Sequence, residues 1–375
     1  MRFISLIFKN LTRRPFRTTL TLLAFATAIA AVVSLLGIAK GFTKSFADVY
    51  QSHSVDVVVS RAGTADRLSS SVDESFVQQI AAVPGVSRSA GVLLETMSLE
   101  EQEIYGVPSM GIADGSWLLD DYRLEDQVTV ESPDRKRVLL GANLANRVGV
   151  KPGEDVMIFE DPYLVSGIFN SQSTWENGSM IFPLSQLQQL ADRDGQVTYI
   201  NVVLDKSFAA TKAAQTVEQI GALDSKLNAL TTTDFVETDT RMQLATAMAW
   251  MTSMIALVLG AFGTLNTMMT SVLERTREIG ILRAMGWPRK RVVKMILMES
   301  ILLAIIASVI GSLMAIAMTS LLARSAATQG ILTPAIDGPV LMQGAIIGLV
   351  IGVLGALIPA WRASKLLPTE AFRES

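Results

Sequence analysis

Four long runs without a charged side chain constrain this 375-residue chain more than any other feature. The apolar core of a bilayer is about 30 Å thick, and a helix of about 20 apolar residues crosses it. The four runs reach that length and cover residues 18–39, 242–273, 300–323 and 338–361. We therefore predict a membrane protein with four transmembrane helices, which we place at 18–42, 242–273, 295–323 and 338–361.

The first run raises the question of a cleaved signal peptide, because Arg13, Arg14 and Arg17 lie just before it. Its 22 uncharged residues exceed the roughly 7–15 residues of a signal-peptide core, so we expect a retained span. Upstream, residues 1–17 place most of their apolar side chains on one helical face. This pattern predicts a cytoplasmic helix that lies on the inner leaflet.

The distribution of charge predicts the orientation, because basic residues close to spans stay on the cytoplasmic side. With both termini inside, the cytoplasmic segments hold 15 of the 32 Lys and Arg residues but only 5 of the 35 Asp and Glu residues. The reverse orientation would place every dense basic cluster outside. We expect a multi-pass protein of the bacterial inner membrane with cytoplasmic termini, a short outer loop at 324–337 and a cytoplasmic tail at 362–375.

Residues 43–240, between the first two spans, have an ordinary globular composition and are predicted to form a large extracytoplasmic α/β domain. A strand-helix-strand pattern occurs in 45–135 and again in 193–240. The stretch between them, 136–192, indicates a small β-rich insert, in which Asn177-Gly178 is a hairpin-type turn signal. In the late unit we expect a helical stretch at 207–230 followed by a strand around Phe235-Val236.

The residue types exclude several chemistries. The chain has no cysteine and one histidine, which rules out a disulfide framework and a two-histidine zinc site. His53 is interpreted as a surface side chain. There is no G-x-x-x-x-G-K-[ST] phosphate loop. We therefore expect no enzyme activity, no catalytic residue, no metal or cofactor bound by this chain, and no nucleic-acid partner.

The polar segment 274–294 links the second and third spans and is rich in helix-forming residues. Ile279, Leu282 and Met285 recur at helical spacing in a segment that is too short for a core of its own, which indicates a partner surface. The alternative is that the arginines serve only to set the membrane orientation. Gly286-Trp287-Pro288 is predicted to end the helix.

Three features within the spans are candidates for packing or function. Glu299, at the start of the third span, is expected to be a membrane-anchor charge paired with Arg291 or Lys294, with a proton relay as the alternative. Small residues recur every fourth position at Gly344, Gly348 and Gly352, and again around Gly311. This pattern permits close helix contact, either within the chain or between two copies.

The string Glu274-Arg275-Thr276-Arg277-Glu278-Ile279-Gly280-Ile281-Leu282-Arg283-Ala284-Met285-Gly286 resembles the FtsX-like permease family of ABC transporters. Two further strings carry the resemblance, Glu299-Ser300 and the region from Pro359 to Ala371. The family includes macrolide exporters, lipoprotein-releasing permeases and glycolipid-export permeases. The resemblance covers the whole layout of one span, a large outer domain and three further spans, and it implies that 45–135 and 193–240 are porter-like.

The resemblance implies an ATPase-coupling helix formed by Glu274, Arg277, Glu278, Ile279, Gly280, Leu282, Arg283, Ala284, Met285 and Gly286. Two copies of the chain would pair with two ABC ATPase subunits, which would hold ATP and Mg. About 17 residues precede the first span, so we expect the ATPase on another chain.

The family is thought to work by mechanotransmission, in which the ATPases move the spans and the spans move the outer domains. The implied function is export of an amphipathic or lipid-like substrate, with contacts to membrane lipid and an optional periplasmic adaptor protein. The alternative is a signalling permease without cargo that activates an extracytoplasmic partner such as a cell-wall hydrolase.

Overall fold

The computed structural model of the chain describes residues 15–63, 70–125, 127–128, 135–324 and 333–366, except the side chains of 17 and 207–212. The helix predicted for residues 1–17 lies almost wholly outside this part, as do most of the short outer loop and of the tail. The described residues form two compact units. The first takes the residues up to Lys40, Ala245–Leu322 and those from Pro334 onward, and the second takes Gly41–Leu244 and the described ends of Ala323–Thr333.

Helices and strands alternate through the middle of the chain, and long helices lie at both ends. The helices are α1 Pro15–Ser52, α2 Phe76–Ala81, α3 Trp117–Asp120, α4 Ala142–Val148, α5 Thr174–Asn177, α6 Leu184–Leu190, α7 Lys206–Gly221, α8 Thr232–Glu237, α9 Thr240–Glu274, α10 Thr276–Ala284, α11 Arg289–Ala323 and α12 Gly338–Lys365. The strands are β1 Val57–Arg61, β2 Val72–Asp73, β3 Val86–Leu99, β4 Ile104–Ile112, β5 Arg123–Glu125, β6 Arg137–Gly141, β7 Asp155–Ile158, β8 Asp161–Asn170, β9 Met180–Pro183, β10 Gln196–Val197, β11 Tyr199–Leu204 and β12 Leu227–Thr231.

Four helices of the described part are long and apolar enough to cross a membrane, namely α1 from Thr18, α9, α11 and α12. Their mean hydropathy over 18 residues lies between 1.7 and 2.6. The predicted four spans are thus confirmed. All four helices are longer than the predicted spans, most of all α1, which continues to Ser52, and α11, which begins at Arg289. Polar helix-forming residues extend a helix beyond its apolar run, so the run marks the span and not the end of the helix.

The second unit is built on one large mixed sheet. Among the described residues it has ten strands in the order β12-β1-β11-β3-β4-β9-β6-β8-β5, with β7 paired to β8. The pairs β4–β9 and β6–β8 are parallel, whereas the other neighbours are antiparallel. The predicted stretch 136–192 is rich in strands, and its strands extend the sheet of the flanking regions through the β4–β9 pair instead of forming a sheet of their own.

Both faces of this sheet are covered. Successive side chains of a strand point to opposite faces, and in β1 the alternating residues Val57 and Val59 join one apolar cluster while Val58 joins the other. All three are fully buried. Helices α2, α4, α6 and α7 cover the first face, and the end of α1 with α3, α5 and α8 covers the second. The cluster on the first face runs through β1, β3, β6, β7 and β9, so the β-rich stretch shares one core with the rest of the domain.

Three local predictions in this unit are wrong. The helix predicted for 207–230 ends at Gly221, because Asp224 accepts hydrogen bonds from the backbone of Lys226 and Leu227 and turns the chain into β12. The strand predicted around Phe235 is helix α8, whose N-terminus is capped by the Thr231 hydroxyl accepting from the Asp234 N–H at 3.2 Å. Such a cap favours a helix over the weak strand propensity of Phe-Val.

The third wrong prediction is the hairpin at Asn177-Gly178. Asn177 ends α5, and its side-chain amide bonds the backbone N–H and C=O of Ser171, both at 2.8 Å. Strands β8 and β9 on either side are not neighbours, because β6 lies between them in the sheet. The Asn-Gly pair therefore closes a short helical loop.

Candidate functional site: the elbow between two long helices

The candidate site is the elbow, which we define as residues 274–287 between α9 and α11. Helix α9 ends at Glu274, and the backbone of Arg275 departs from helical geometry with φ −103° and ψ 13°. Helix α10 starts at once, at Thr276, whose hydroxyl donates to the carbonyl oxygen of Leu273 at 2.6 Å. The helical geometry is thus interrupted at a single residue, and α10 begins without an intervening loop.

The far end of the elbow is a Schellman turn. The N–H of Trp287 donates to the C=O of Leu282 at 3.1 Å, and the N–H of Gly286 donates to the C=O of Arg283 at 3.0 Å. Gly286 has φ +92°, a conformation in which glycine has no side-chain clash. The Arg283 guanidinium donates to the Trp287 carbonyl oxygen at 2.8 Å and reinforces the turn. The predicted helix end at Gly286-Trp287 is observed.

One side of α10 packs against its own chain. Ile279 is 3% exposed and Gly280 is buried. Ile279 belongs to an apolar cluster with residues from the ends of α9, α11 and α12, namely Val272, Val292, Met295, Ile296, Ala360 and Ala363. Leu282 and Trp287 pack at the edge of this cluster. Two of the three apolar residues that seemed to require a partner, Ile279 and Leu282, therefore find one within the chain.

The opposite side of α10 faces outward. The exposed residues of the elbow are Glu274, Arg277, Glu278, Ile281, Ala284, Met285 and Gly286. Ile281 is 41% exposed and Met285 is 65% exposed. Ile281 was absent from the predicted set, although it lies four residues after Arg277 and four before Met285, which is the spacing of one helical face. We call Arg277, Glu278, Ile281, Ala284 and Met285 the outer face of α10.

A buried ion pair ties the elbow to α11. The Arg275 guanidinium donates to both oxygens of Glu299, at 3.0 and 3.1 Å, and the two side chains are 15% and 8% exposed. The predicted partners of Glu299 were wrong, since Arg291 lies over the Trp287 ring at 4.7 Å and Lys294 is exposed. Arg275 lies at the break between α9 and α10, and Glu299 lies 24 residues further along the chain in α11. Their spacing in the sequence does not show that the two side chains meet.

The predicted glycine positions lie at helix contacts within the first unit. A Cβ added at Gly311 would lie 2.6 Å from the carbonyl oxygen of Ala26, and one at Gly344 would lie 2.3 Å from a methyl of Val33. A Cβ added at Gly348 would meet the Ser308 hydroxyl, and one added at Gly352 would meet the Ala304 methyl. The glycines thus bring α1, α11 and α12 close together, as expected for a small-x-x-x-small pattern used inside one chain.

Comparison with models of known protein families shows the family to which the chain belongs. The model of the MacB-like periplasmic core domain matches residues 18–220, and the model of the FtsX-like permease C-terminal domain matches residues 250–368. The chain belongs to the FtsX-like permease family of ABC transporters. The elbow, Glu299 and the glycine contacts on α11 and α12 all lie inside the second match.

Individual relatives of this permease have low identity over long alignments. A protein of Nitrobacter winogradskyi described as the macrolide export ATP-binding/permease protein MacB is 25% identical over 97% of this chain, which spans 59% of that protein. The uncharacterized ABC transporter permease YknZ of Bacillus subtilis is 23% identical over 95% of both chains. The periplasmic region of MacB from Actinobacillus actinomycetemcomitans superposes with a TM-score of 0.38 and 15% identity, covering 49% of this chain and 92% of that one. This permease spans about six tenths of the first curated relatives it matches.

The permease also contains a buried polar network that sequence reasoning missed. His53 is 4% exposed, not a surface side chain. Its Nδ1 lies 3.0 Å from Asp121 Oδ2, and its Nε2 lies 3.2 Å from Glu176 Oε1. The hydroxyls of Tyr122, at 2.7 Å, and Ser171 donate to the Glu176 carboxylate. The network joins the end of α1 to the start of β5 and to the loop that carries α5.

Burial and neighbouring charges shift the pKa values of two groups in this network, His53 and Tyr122. Burial lowers the pKa of His53, but hydrogen bonds and charges from Glu176 and then Asp121 outweigh burial and leave that pKa raised. Burial raises the pKa of Tyr122 well above its usual value, and the nearby Glu176 adds to this. Tyr122 therefore remains a hydrogen-bond donor at physiological pH. No group of three or more His, Asp or Glu residues in the described ranges has an arrangement suited to a metal ion.

Proposed function

We propose that this permease is the membrane subunit of an ABC exporter that works by mechanotransmission. A separate ABC ATPase would dock on the elbow, hold ATP and Mg, and transmit its closure through the spans to the large α/β domain. The exported substrate would be amphipathic or lipid-like. The relatives described as macrolide export proteins favour export over cargo-free signalling.

The observation that carries the proposal is the outer face of α10. It presents two exposed apolar side chains, Ile281 and Met285, beside the charged Arg277 and Glu278. Exposed apolar residues bordered by polar ones are typical of a protein contact. Behind them, the apolar cluster around Ile279 and the Arg275–Glu299 pair hold α10 against α9, α11 and α12. A push on α10 would therefore move these helices and not merely bend a loop.

Charge supports the proposed orientation, with the elbow and both termini in the cytoplasm and the large domain in the periplasm. Arg289, Lys290 and Lys294 line a shallow groove on α11 together with the apolar residues Val293, Leu297, Met298 and Ile301. Basic side chains at the start of a span suit the anionic phosphates of the inner leaflet. We propose membrane lipid as the partner at this groove.

The complete assembly would contain two copies of this permease and two ATPase subunits in the bacterial inner membrane. A periplasmic adaptor protein would complete the export path where the cell wall requires one. Membership of an ABC permease family supports the ATPase partner, whereas the second copy and the adaptor belong to the proposed transport.

The proposal is tested by changing the outer face of α10. We expect the double variant Ile281→Asp, Met285→Asp to lower the permease-stimulated rate of the co-purified ABC ATPase by about tenfold or more, as for two desolvated contact residues. The measurement is ATP hydrolysis by the complex in lipid nanodiscs. The matched control is Leu223→Asp in the second unit, whose side chain has the same 41% exposure as Ile281. Full stimulation with the double variant would refute docking at this face.

A further inference from the structure

A small aromatic cavity in the second unit is not explained by the ATPase-docking proposal. Its volume is about 200 Å³. The lining comes from the last turns of α1, from β3, β4, α5, β11 and α8, and from the residue before α9 and its first turn: Phe42, Phe46, Tyr50, Leu94, Glu95, Thr96, Gly106, Pro108, Trp175, Tyr199, Phe235, Asp239, Arg241 and Met242.

The walls of the cavity are aromatic rings held in edge-to-face contact. Tyr50 lies 5.6 Å from Phe46, 5.6 Å from Phe235 and 6.1 Å from Tyr199, measured between ring centroids. Tyr50 and Phe235 are each 2% exposed. Rings at these distances and angles attract one another and resist rotation. The inner wall is therefore rigid and ready to receive another ring without rearrangement.

Trp175 forms another part of the wall, 6.3 Å from Phe46. Its position is set by its neighbour Glu176, which the hydroxyl of Tyr122 and the imidazole of His53 hold in the buried network. The backbone on the other side is held as well, because the Ser173 hydroxyl donates to the Ser45 carbonyl oxygen of α1 at 2.9 Å. The segment that carries Trp175 is thus hydrogen-bonded to α1, and the Trp175 ring lies beside Phe46 of that helix.

The two acidic residues of the lining already accept hydrogen bonds from other residues of the protein. Glu95 accepts a hydrogen bond from Arg193 at 2.7 Å. Asp239 accepts from the N–H of Arg241 at 2.9 Å and so caps the start of α9. These two carboxylates therefore do not call for a charged ligand group, and the aromatic rings of the lining favour an apolar or aromatic ligand.

The volume of the cavity limits the size of the group that it can bind. An apolar cavity of roughly 150 Å³ holds one benzene molecule, whereas sites for whole drug-sized ligands measure about 300–1,000 Å³. A cavity of about 200 Å³ accommodates one ring with a short substituent. The mouth is open to solvent, because Thr96 is exposed and Phe42 is 43% exposed. A larger molecule can insert one ring and leave its remainder outside.

The position of the residues at the mouth of the cavity indicates which kind of molecule carries the inserted ring. Phe42 follows the uncharged run 18–39 by three residues, and Met242 is the first residue of the run 242–273. A ring inserted here belongs to a molecule whose other parts meet the border between apolar and polar surroundings. We propose that this cavity binds a single aromatic ring of an amphipathic small molecule. Its assignment as a cargo site rests on the proposed export function, but binding itself does not.

The test is a titration of the full chain in lipid nanodiscs, without ATPase, with 4-bromobenzyl alcohol. The bromine atom quenches tryptophan fluorescence on close contact. We expect a saturable quench that disappears in Trp175→Phe, which keeps a ring in the wall. Thr96→Phe places a ring at the mouth from an exposed strand position and is expected to weaken binding about tenfold, because the space is filled.

Phe42→Ala tests the site with little risk to folding, since this ring is partly exposed and alanine is a good helix former. We expect about threefold weaker binding from the loss of one ring contact. The matched control is Phe159→Ala, which removes a 50% exposed ring outside the cavity and should leave binding unchanged. A linear quench without saturation, or equal quenching in Thr96→Phe and the wild type, would overturn the proposal.

The two proposals fail separately. Binding that persists in the Ile281→Asp, Met285→Asp variant, together with lost ATPase stimulation, supports both. Normal ATPase stimulation in that double variant refutes docking on α10 and leaves the cavity result intact. Absence of saturable binding with normal docking refutes only the cavity.

Discussion

At the scale of single residues, the buried His53 connects three segments that lie far apart along the chain. Its two partners, Asp121 and Glu176, lie 68 and 123 residues further along the chain. Only the pairing of distant strands brings them together, so the network was not predictable from local spacing.

The first prediction concerns the pH dependence of this network. Because the pKa of His53 is raised above its ordinary value of 6.5, protonated His53 stabilises the fold fully below that value, and the contribution is lost as the pH rises through the folded-state pKa. The stability difference between the wild type and His53→Gln should therefore be larger at pH 6 than at pH 9. Thermal unfolding of both proteins across this range measures it.

The groups that face His53 decide how this result is interpreted. They are the carboxylates of Asp121 and Glu176 and the hydroxyl of Tyr122, whose ring centroid lies 4.9 Å from that of His53. The tyrosine does not titrate in this range because its pKa is raised. A difference that grows toward pH 9 would contradict a cationic His53 in the folded state.

The Arg275–Glu299 pair gives the second prediction at this scale. Removing one member of a buried ion pair leaves an uncompensated charge and costs about 3–5 kcal/mol, whereas apolar replacement of both is nearly neutral. We expect Arg275→Met and Glu299→Leu each to lower the unfolding temperature more than the double variant does. Additive losses in this double-mutant cycle would show that the two side chains do not depend on each other.

At the scale of elements, the ends of helices were predicted where a local signal sets them. Gly286-Trp287 ends α10 in a Schellman turn, which the sequence indicates directly. The exposed side of α10 was less predictable. Periodicity shows which residues share a face, but it does not show which face packs inward. Ile279 belongs to a buried cluster with residues from the ends of three other helices.

Helix packing gives the third prediction. A methyl group at Gly311 would lie 2.6 Å from the backbone oxygen of Ala26, and a backbone atom cannot move aside as a flexible side chain does. We expect Gly311→Ala to destabilise the permease by about 1–3 kcal/mol, the usual cost of overpacking. Chemical or thermal unfolding in nanodiscs measures it.

The matched control is Gly263→Ala on α9, where an added Cβ meets nothing within 4 Å. This variant should be neutral or slightly stabilising, because alanine favours a helix over glycine. Equal effects of the two substitutions would show that α1 and α11 are not in close contact at Gly311.

At the scale of the whole molecule, the four spans and the α/β class of the large domain were predictable, because long uncharged runs and strand-helix alternation are properties of the sequence itself. The extent of the sheet was not. The stretch 136–192 was rightly expected to be rich in strands. Its parallel pairing of β9 with β4 joins segments about 70 residues apart and merges this stretch with the rest of the domain. No turn signal predicts such a long-range pairing.

We propose that force from an ATPase enters this permease through the outer face of α10. The chain contains no cysteine, so a single cysteine introduced at a chosen position can be labelled selectively with a photoactivatable benzophenone. The three variants for this measurement are Met285→Cys, Ile281→Cys and Leu223→Cys. All three side chains are exposed, by 65%, 41% and 41%.

After irradiation of the complex with its co-purified ATPase, we expect cross-links to the ATPase from positions 285 and 281 and none from position 223. The cross-linked fraction is measured by the mass shift of the labelled permease. Efficient labelling at 281 and 285 without any ATPase cross-link, or an equal cross-link from 223, would contradict the claim.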